Sequence, residues 1–289
     1  MNQKKKVFLY SFITVFLWAS AFPLTKIAQQ HFTANALGLV RCSVAACFLL
    51  LIGKMNHIKR PRLKDIPVFF LAGLCGFTLY LICFNTGIQT LTSATSSIVI
   101  AITPILTAVL ASAFYKEKIN WIGWISILGA FAGVLVLLLW EGIFSVNIGI
   151  VWTLGAACVF CAYNFINKNL AKKGYNALEI VTYSMLCGAI LFLFSLLPAV
   201  ELLKTSAPAE IASLIYLGIF PSAIAYFLWG KAMSYAEKTS EVTNFMFVTP
   251  LLSTVLGFII LKEMPNMGTF LGGAIIICCI VVFNLKGKQ

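Results

Sequence analysis

The chain has 289 residues, of which 61% are hydrophobic and only 10% are Asp, Glu, Lys or Arg, and its mean hydropathy is +0.96. A water-soluble domain of that size needs far more polar surface, so the composition excludes one and reads as an integral membrane protein. The net charge of +12 does not read as nucleic-acid binding, because the Lys and Arg residues are scattered through short loops with no aromatic-rich basic face.

Lys4-Lys5-Lys6 opens an apolar segment ending in Ala19-Ser20-Ala21, which has the form of a secretory signal with its small-residue cleavage site. Trp18 to Lys26 nevertheless has a weak counterpart in Phe160 to Lys168, so the segment reads as a retained first span over about residues 7–28. An apolar run of about 20 residues crosses a roughly 30 Å hydrocarbon layer at about 1.5 Å per residue. By that measure four more spans complete a first half, at about 34–53, 67–89, 93–115 and 119–139. A second half follows, with spans at about 147–167, 178–198, 211–232, 240–261 and 267–285. The nine cysteines all lie in apolar runs, where a thiol behaves as a small hydrophobe. Cys158-x-x-Cys161 has no His or acid at ligand spacing, and His31 and His57 lie in loops, so no metal site is expected.

The two halves are copies. Ser97 to Glu117 returns as Thr243 to Glu263 at an offset of 146, which aligns Thr103-Pro104 with Thr249-Pro250 and Lys116-Glu117 with Lys262-Glu263. The boundary between copies falls near residue 142, giving 1–142 and 143–289, and the expected fold is all-α with ten transmembrane helices in two five-helix repeats. Because five is odd, the copies cross the membrane in opposite senses, the inverted arrangement associated with alternating access. With the N-terminus inside, the segments around 4–6, 54–64, 116–118, 168–173, 231–238 and 286–288 hold 17 of the 21 Lys and Arg residues, against Lys26, Lys204 and Lys262 outside. The positive-inside rule therefore places both termini in the cytoplasm. Pro104 and Pro250 fall mid-span, where a proline frees a carbonyl that lipid cannot satisfy; each either bends a helix for packing or marks a gated binding site.

Ten spans in two halves, Trp18 with Ser20, Phe22 and Lys26 in helix one, Arg41 early in helix two, Ala162-Tyr163 in helix six, and the Pro-to-Glu stretches ending at Glu117 and Glu263 resemble the drug/metabolite transporter superfamily, in its ten-helix EamA-type branch. The resemblance covers nearly the whole chain. It implies a bacterial inner-membrane carrier of small metabolites, often amino acids, with a central cavity between the halves. The small multidrug branch carries an acidic residue in helix one; this chain has none there, which argues against organic cations as cargo.

A carrier site needs a few polar or aromatic groups in an apolar cavity. Candidates are Trp18 and Ser20 in helix one; Tyr80, Phe84 and Asn85 on one face of helix three; Tyr163 and Asn164 in helix six; Tyr226 and Trp229 in helix eight; and Asn244 near the break in helix nine. Each could equally serve helix packing or the interface belts. Arg41, about two turns into its span, either snorkels to the outer interface or faces a cavity and attracts a carboxylate, with Lys26 on the same side. Glu179 and Glu241 either couple protons or cap helix starts, and Glu117 and Glu263 read as loop anchors beside Lys116 and Lys262.

The leading expectation is a secondary transporter of small polar or amphiphilic metabolites, exporting amino acids or related compounds. A proton-coupled exporter of organic cations or drugs is the alternative within the same class. A membrane-embedded lipid-modifying enzyme is the alternative outside it, and would need clustered acids or a Ser/Lys pair that the sequence lacks. No Gly-rich nucleotide loop is present, so gradients supply the energy and no cofactor is expected. The expected partners are the substrate and the lipid bilayer, with the chain a monomer or a homodimer.

Overall fold

A computed structural model describes residues 3–115, 119–140, 147–236, 242 and 244–286. Every regular element among them is helical. Five helices are long and apolar enough to span a membrane: α1 (Gln3–Ala28), α2 (Ala34–Met55), α3 (Leu63–Ile88), α6 (Ile148–Lys172) and α8 (Pro208–Tyr235). A sixth such unit is bent by 47°, as α7a (Ala177–Leu191) and a continuation that includes α7b (Leu196–Thr205). Four further apolar stretches among the described residues are shorter than a membrane span. These are the broken α4, as α4a (Ser93–Ile100) and α4b (Thr103–Tyr115), then α5 (Trp121–Leu139), α9 (Val248–Leu261) and α10 (Met267–Lys286).

Side-chain oxygens start several of these helices by accepting the otherwise orphaned backbone N–H groups of the first turn. Thr33 accepts from Ala36 N, Thr92 from Thr95 N, Asn120 from Gly123 N and Asn147 from Gly149 N. Asn176 and Glu179 form a reciprocal capping box at α7a. Leu51, Leu128 and Leu251, each within an apolar helix, are strongly exposed, on a surface that a bilayer would cover.

The prolines do not kink continuous helices. Ala101 and Ile102 form a turn, and Pro104 is the second residue of α4b; Pro250 is the third residue of α9, which follows a 3₁₀ turn at Asn244–Phe247. In a first turn the missing N–H costs little, since that group has no helical partner in any case. The Ile100 carbonyl, four residues before Pro104, accepts the Thr103 hydroxyl at 2.6 Å. Of the two readings of these prolines, a bend for packing and a break, the geometry has no bend within a continuous helix: each proline stands in the first turn of a helix that follows an interruption.

The halves interlock rather than sit side by side. Helix α1 packs on α8 and α9, and its counterpart α6 packs on α3 and α4, so each first helix serves the other half. Helix α2 lies against α7a, and α5 against α10. In that last pair a Cβ on Gly133 would come within 2.9 Å of the Gly272 carbonyl, and one on Gly272 within 2.9 Å of the Gly133 carbonyl. Their lack of side chains lets the two backbones approach, within one chain. Helices α3 and α8 each contain a π-helical stretch, Leu74–Thr78 and Gly218–Ile224.

Both ends of the bundle are tied across the halves. At one end the buried Asp65 carboxylate accepts Lys173 Nζ at 2.7 Å, Tyr175 Oη at 2.9 Å and Arg62 Nε at 2.9 Å. At the other, Lys26 pairs with Glu263 and donates to the Leu91 carbonyl at 2.8 Å, while Glu263 Oε2 accepts Ser93 N at 2.7 Å. Glu263 is therefore not only an anchor beside Lys262: its ion pair joins the end of α9 to α1.

Candidate binding cavity

A narrow cavity lies where α1, α2, α3, α4a, α6, α8 and the start of α9 converge. Its walls are aromatic: Trp18 and Phe22, Tyr80 and Phe84, Phe160 and Tyr226. Ser97, Ile100 and Ala101, at the break in α4, and Met246 and Thr249, at the start of α9, complete the lining. The volume open to the centre of a water-sized sphere is about 40 Å³. One water needs about 10–15 Å³ by that measure, so this conformation has room for a few waters and would widen around an organic solute.

The aromatic rings touch one another as well as the cavity. Trp18 lies edge-on to Tyr226 at 5.5 Å between centroids, Tyr80 meets Phe160 at 5.3 Å, and Phe22 meets Phe84 at 5.2 Å. Trp18 also donates its indole N–H to the Pro221 carbonyl at 3.2 Å, within the π-helical stretch of α8. Aromatic rings carry negative potential on their faces, so a cavity walled by them suits apolar groups and positive charge.

Arg41 is the charged side chain of this lining. Only 4% of the residue is exposed, which rules out snorkelling to the interface. Its Nε donates to Ser222 Oγ at 2.5 Å, and its buried Nη1 has no hydrogen-bond partner. A buried guanidinium nitrogen without an acceptor is costly, and an anion brought against it would remove that cost. Lys26 does not share this role, because Glu263 and the Leu91 carbonyl hold its ammonium.

Of the residues singled out from sequence, Trp18, Arg41, Tyr80, Phe84 and Tyr226 line the cavity. Trp229 stands one layer behind, 5.0 Å from the Trp18 ring, and Tyr163 packs on Phe77, Phe160 and Tyr226. Ser20 and Asn85 lie outside the lining. Ser20 meets the Tyr216 hydroxyl at 2.9 Å, and Asn85 donates to the Ala34 carbonyl at 2.9 Å, so both join helices. Asn164, half-buried on α6, is also off the lining. The lining contains neither proline, although both follow directly on segments that it does contain.

Glu179 lies away from the cavity and spends both oxygens on backbone donors, Lys59 N at 3.0 Å and Asn176 N at 2.9 Å. That is the capping alternative rather than a free coupling carboxylate. Glu117, Glu241 and the side chain of Asn244 lie outside the described residues.

Sequence reasoning missed Phe160, Ser97, Met246 and Ser222. Phe160 and Met246 are ordinary apolar residues in apolar spans and carry no signal. Ser222 follows Pro221 in the middle of a span, and that proline could have marked the irregular turn.

The family model for the EamA-like transporter family matches this chain twice, over residues 5–139 and 147–285. A probable terminal-alkyne amino-acid exporter of Streptantibioticus cattleyicolor is 32% identical over 275 residues, covering 95% of this chain and 92% of that protein. The uncharacterized transporter YdfC of Bacillus subtilis is 31% identical, covering 93% and 88%. A solved crystal structure 18% identical in sequence superposes with a TM-score of 0.68 over 99% of this chain and 98% of the other, a likeness of fold.

Proposed function

Because the chain belongs to the EamA-like transporter family, a family of multi-pass membrane proteins, we propose that it is a secondary carrier exporting amino acids or closely related carboxylates. The observation that supports this most directly is the Arg41 guanidinium, buried in an aromatic cavity with Nη1 unpaired. A zwitterion fits such a site from both ends. Its carboxylate meets Arg41 in a charge-assisted hydrogen bond, and its ammonium and side chain meet the faces of Trp18, Tyr80, Phe160 and Tyr226. The relative named as an amino-acid exporter points the same way. No carboxylate stands among the described lining residues to receive a cationic drug, which favours this cargo over organic cations. The comparisons name transporters rather than enzymes, and the reading is of a carrier with no catalytic step.

The membrane is the bacterial cytoplasmic one in this reading, with both termini inside by the positive-inside rule. The repeats, bounded near residue 142, are inverted, and transport proceeds by rocking of the halves around the breaks at Pro104 and Pro250. The Lys26–Glu263 end is then outer and the Asp65–Lys173 end inner.

A thermal-shift panel on the detergent-purified protein tests this. Neutral L-amino acids are compared with their amides and with amines, on wild type and Arg41→Ala. Ligand at a hundred times its dissociation constant stabilises the native state by about 2.7 kcal/mol. Amino acids, and not their amides, are expected to stabilise wild type and to lose that effect in Arg41→Ala. Stabilisation by cations alone, unchanged in Arg41→Ala, would refute the proposed cargo.

A further inference from the structure

Ser222 is held as firmly as the arginine it contacts. Its hydroxyl proton goes to the Leu217 carbonyl at 2.8 Å, five residues back, the partner that a π-helical stretch places within reach. The oxygen's lone pairs are thereby turned to Arg41 Nε, which donates at 2.5 Å. A guanidinium has five N–H donors in one plane, so fixing Nε fixes the plane. What remains for a ligand is the Nη end, with Nη1 buried and unpartnered. The residue before Ser222 holds the aromatic side of the cavity, since the Pro221 carbonyl accepts the Trp18 indole N–H at 3.2 Å. One irregular turn thus orients both the cationic and the aromatic wall. π-Helical turns inside α-helices are frequent at functional sites.

The second half has no matching pole. At the repeat offset of 146, Ser222 corresponds to Gly76, and a Cβ there would meet the Tyr163 ring. In the second helix of each half Asn35-Ala-Leu37 aligns with Asn176-Ala-Leu178, an offset of 141, and this puts Thr182 where Arg41 stands in the first half. The cavity therefore offers one guanidinium, at one wall.

We propose that Ser222, in the π-helical turn Gly218–Ile224, is a positioning residue that presents Arg41 as a receptor for a single carboxylate. The cavity then selects monocarboxylates bearing an apolar group over dicarboxylates, whose second anion would lie unpaired against aromatic rings. This rests on the reading of Arg41 as the carboxylate anchor.

The test measures dissociation constants on the full-length purified protein for L-leucine, L-phenylalanine, L-norleucine, their amides and L-glutamate. Variants are Ser222→Ala and Ser222→Thr. Wild type is expected to prefer the neutral amino acids to both amides and glutamate. Ser222→Ala weakens their binding by about ten-fold, the loss of one oriented charge-assisted contact, and narrows the margin over the amides. Ser222→Thr, which keeps the hydroxyl, restores both. A purely structural serine would lower the ligand-free melting temperature in Ser222→Ala and leave affinities and the acid-to-amide margin unchanged, overturning the proposal. Should Ser222→Ala fail to fold, Ser222→Cys, a weak acceptor of similar size, carries the same expectation. Tight binding of glutamate also overturns it. Wild type that binds none of the carboxylates removes the Arg41 anchor itself, whereas wild type that binds them while Ser222→Ala and Ser222→Cys match it removes only the role of Ser222.

Discussion

At the scale of single residues, the chemistry turns on the difference between charge and geometry. An ammonium in place of Arg41 would keep the positive charge but lose the planar fork and the Nε that Ser222 accepts. Arg41→Lys is therefore expected to bind amino acids about ten-fold more weakly than wild type. Equal affinity in isothermal titration would mean that charge alone suffices. Arg41 was legible in the sequence because a charge in an apolar span must be buried with a purpose or snorkel, and only the structure decides between these. Ser222 was not legible. A hydroxyl in a membrane helix commonly returns to its own backbone, and nothing in its neighbours names a partner 181 positions away. The amides were ambiguous for a related reason: Asn85 turned out to join helices, as buried amides often do.

At the scale of elements, an all-helical chain of long apolar segments was readable, because twenty apolar positions between charged loops admit few alternatives. The irregularities were not. The proline at 104 marks a break correctly, yet the break lies ahead of it, where Thr103 satisfies the Ile100 carbonyl. Thr103→Val keeps the shape and removes that donor, leaving a buried carbonyl unmet at a cost of about 1–3 kcal/mol. A melting temperature unchanged from wild type would show that the break is stabilised in some other way. Span seven bends after Leu191 into α7b, whose exposed Leu197 and Val200 alternate with Glu201 and Lys204; sequence hydropathy alone runs straight through this corner. Gly133 of α5 and Gly272 of α10 allow a close approach whose partner no local sequence pattern names. Gly272→Val would push a branched side chain against the Gly133 carbonyl and Leu137. It should destabilise the protein by about 1–3 kcal/mol while sparing amino-acid affinity, because α5 and α10 do not line the cavity. An affinity lost in proportion to stability would link this peripheral pair to the site.

At the scale of the whole molecule, opening and closing in the proposed carrier would turn on how the halves are tied at each end. The sequence aligned the copies, and it assigned Glu263 to its own loop because Lys262 is adjacent; the partner that holds it, Lys26, is 237 positions away. That ion pair, with Ser93 N and the Leu91 carbonyl, joins α1, the turn before α4a and the end of α9 above the Phe22–Phe84 contact. In the proposed orientation these two layers close the cavity to the outside. Glu263→Gln retains size and polarity while removing the charge, so it should loosen the outer seal without disturbing the cavity walls. Ala101 lines the cavity, and a cysteine placed there reports its exposure. Membrane-impermeant thiol reagent added outside intact cells should modify Ala101→Cys faster when Glu263→Gln is also present, by several-fold, read at that peptide by mass spectrometry so that the native thiols do not contribute. The inner tie at Asp65, whose carboxylate is held by Lys173, Tyr175 and Arg62, is untouched by this change. Weakening only one end of a rocking carrier shifts its population toward opening at that end. Equal modification rates with and without Glu263→Gln would mean that the ion pair staples the surface without gating it, and the aromatic pair beneath would then be the seal.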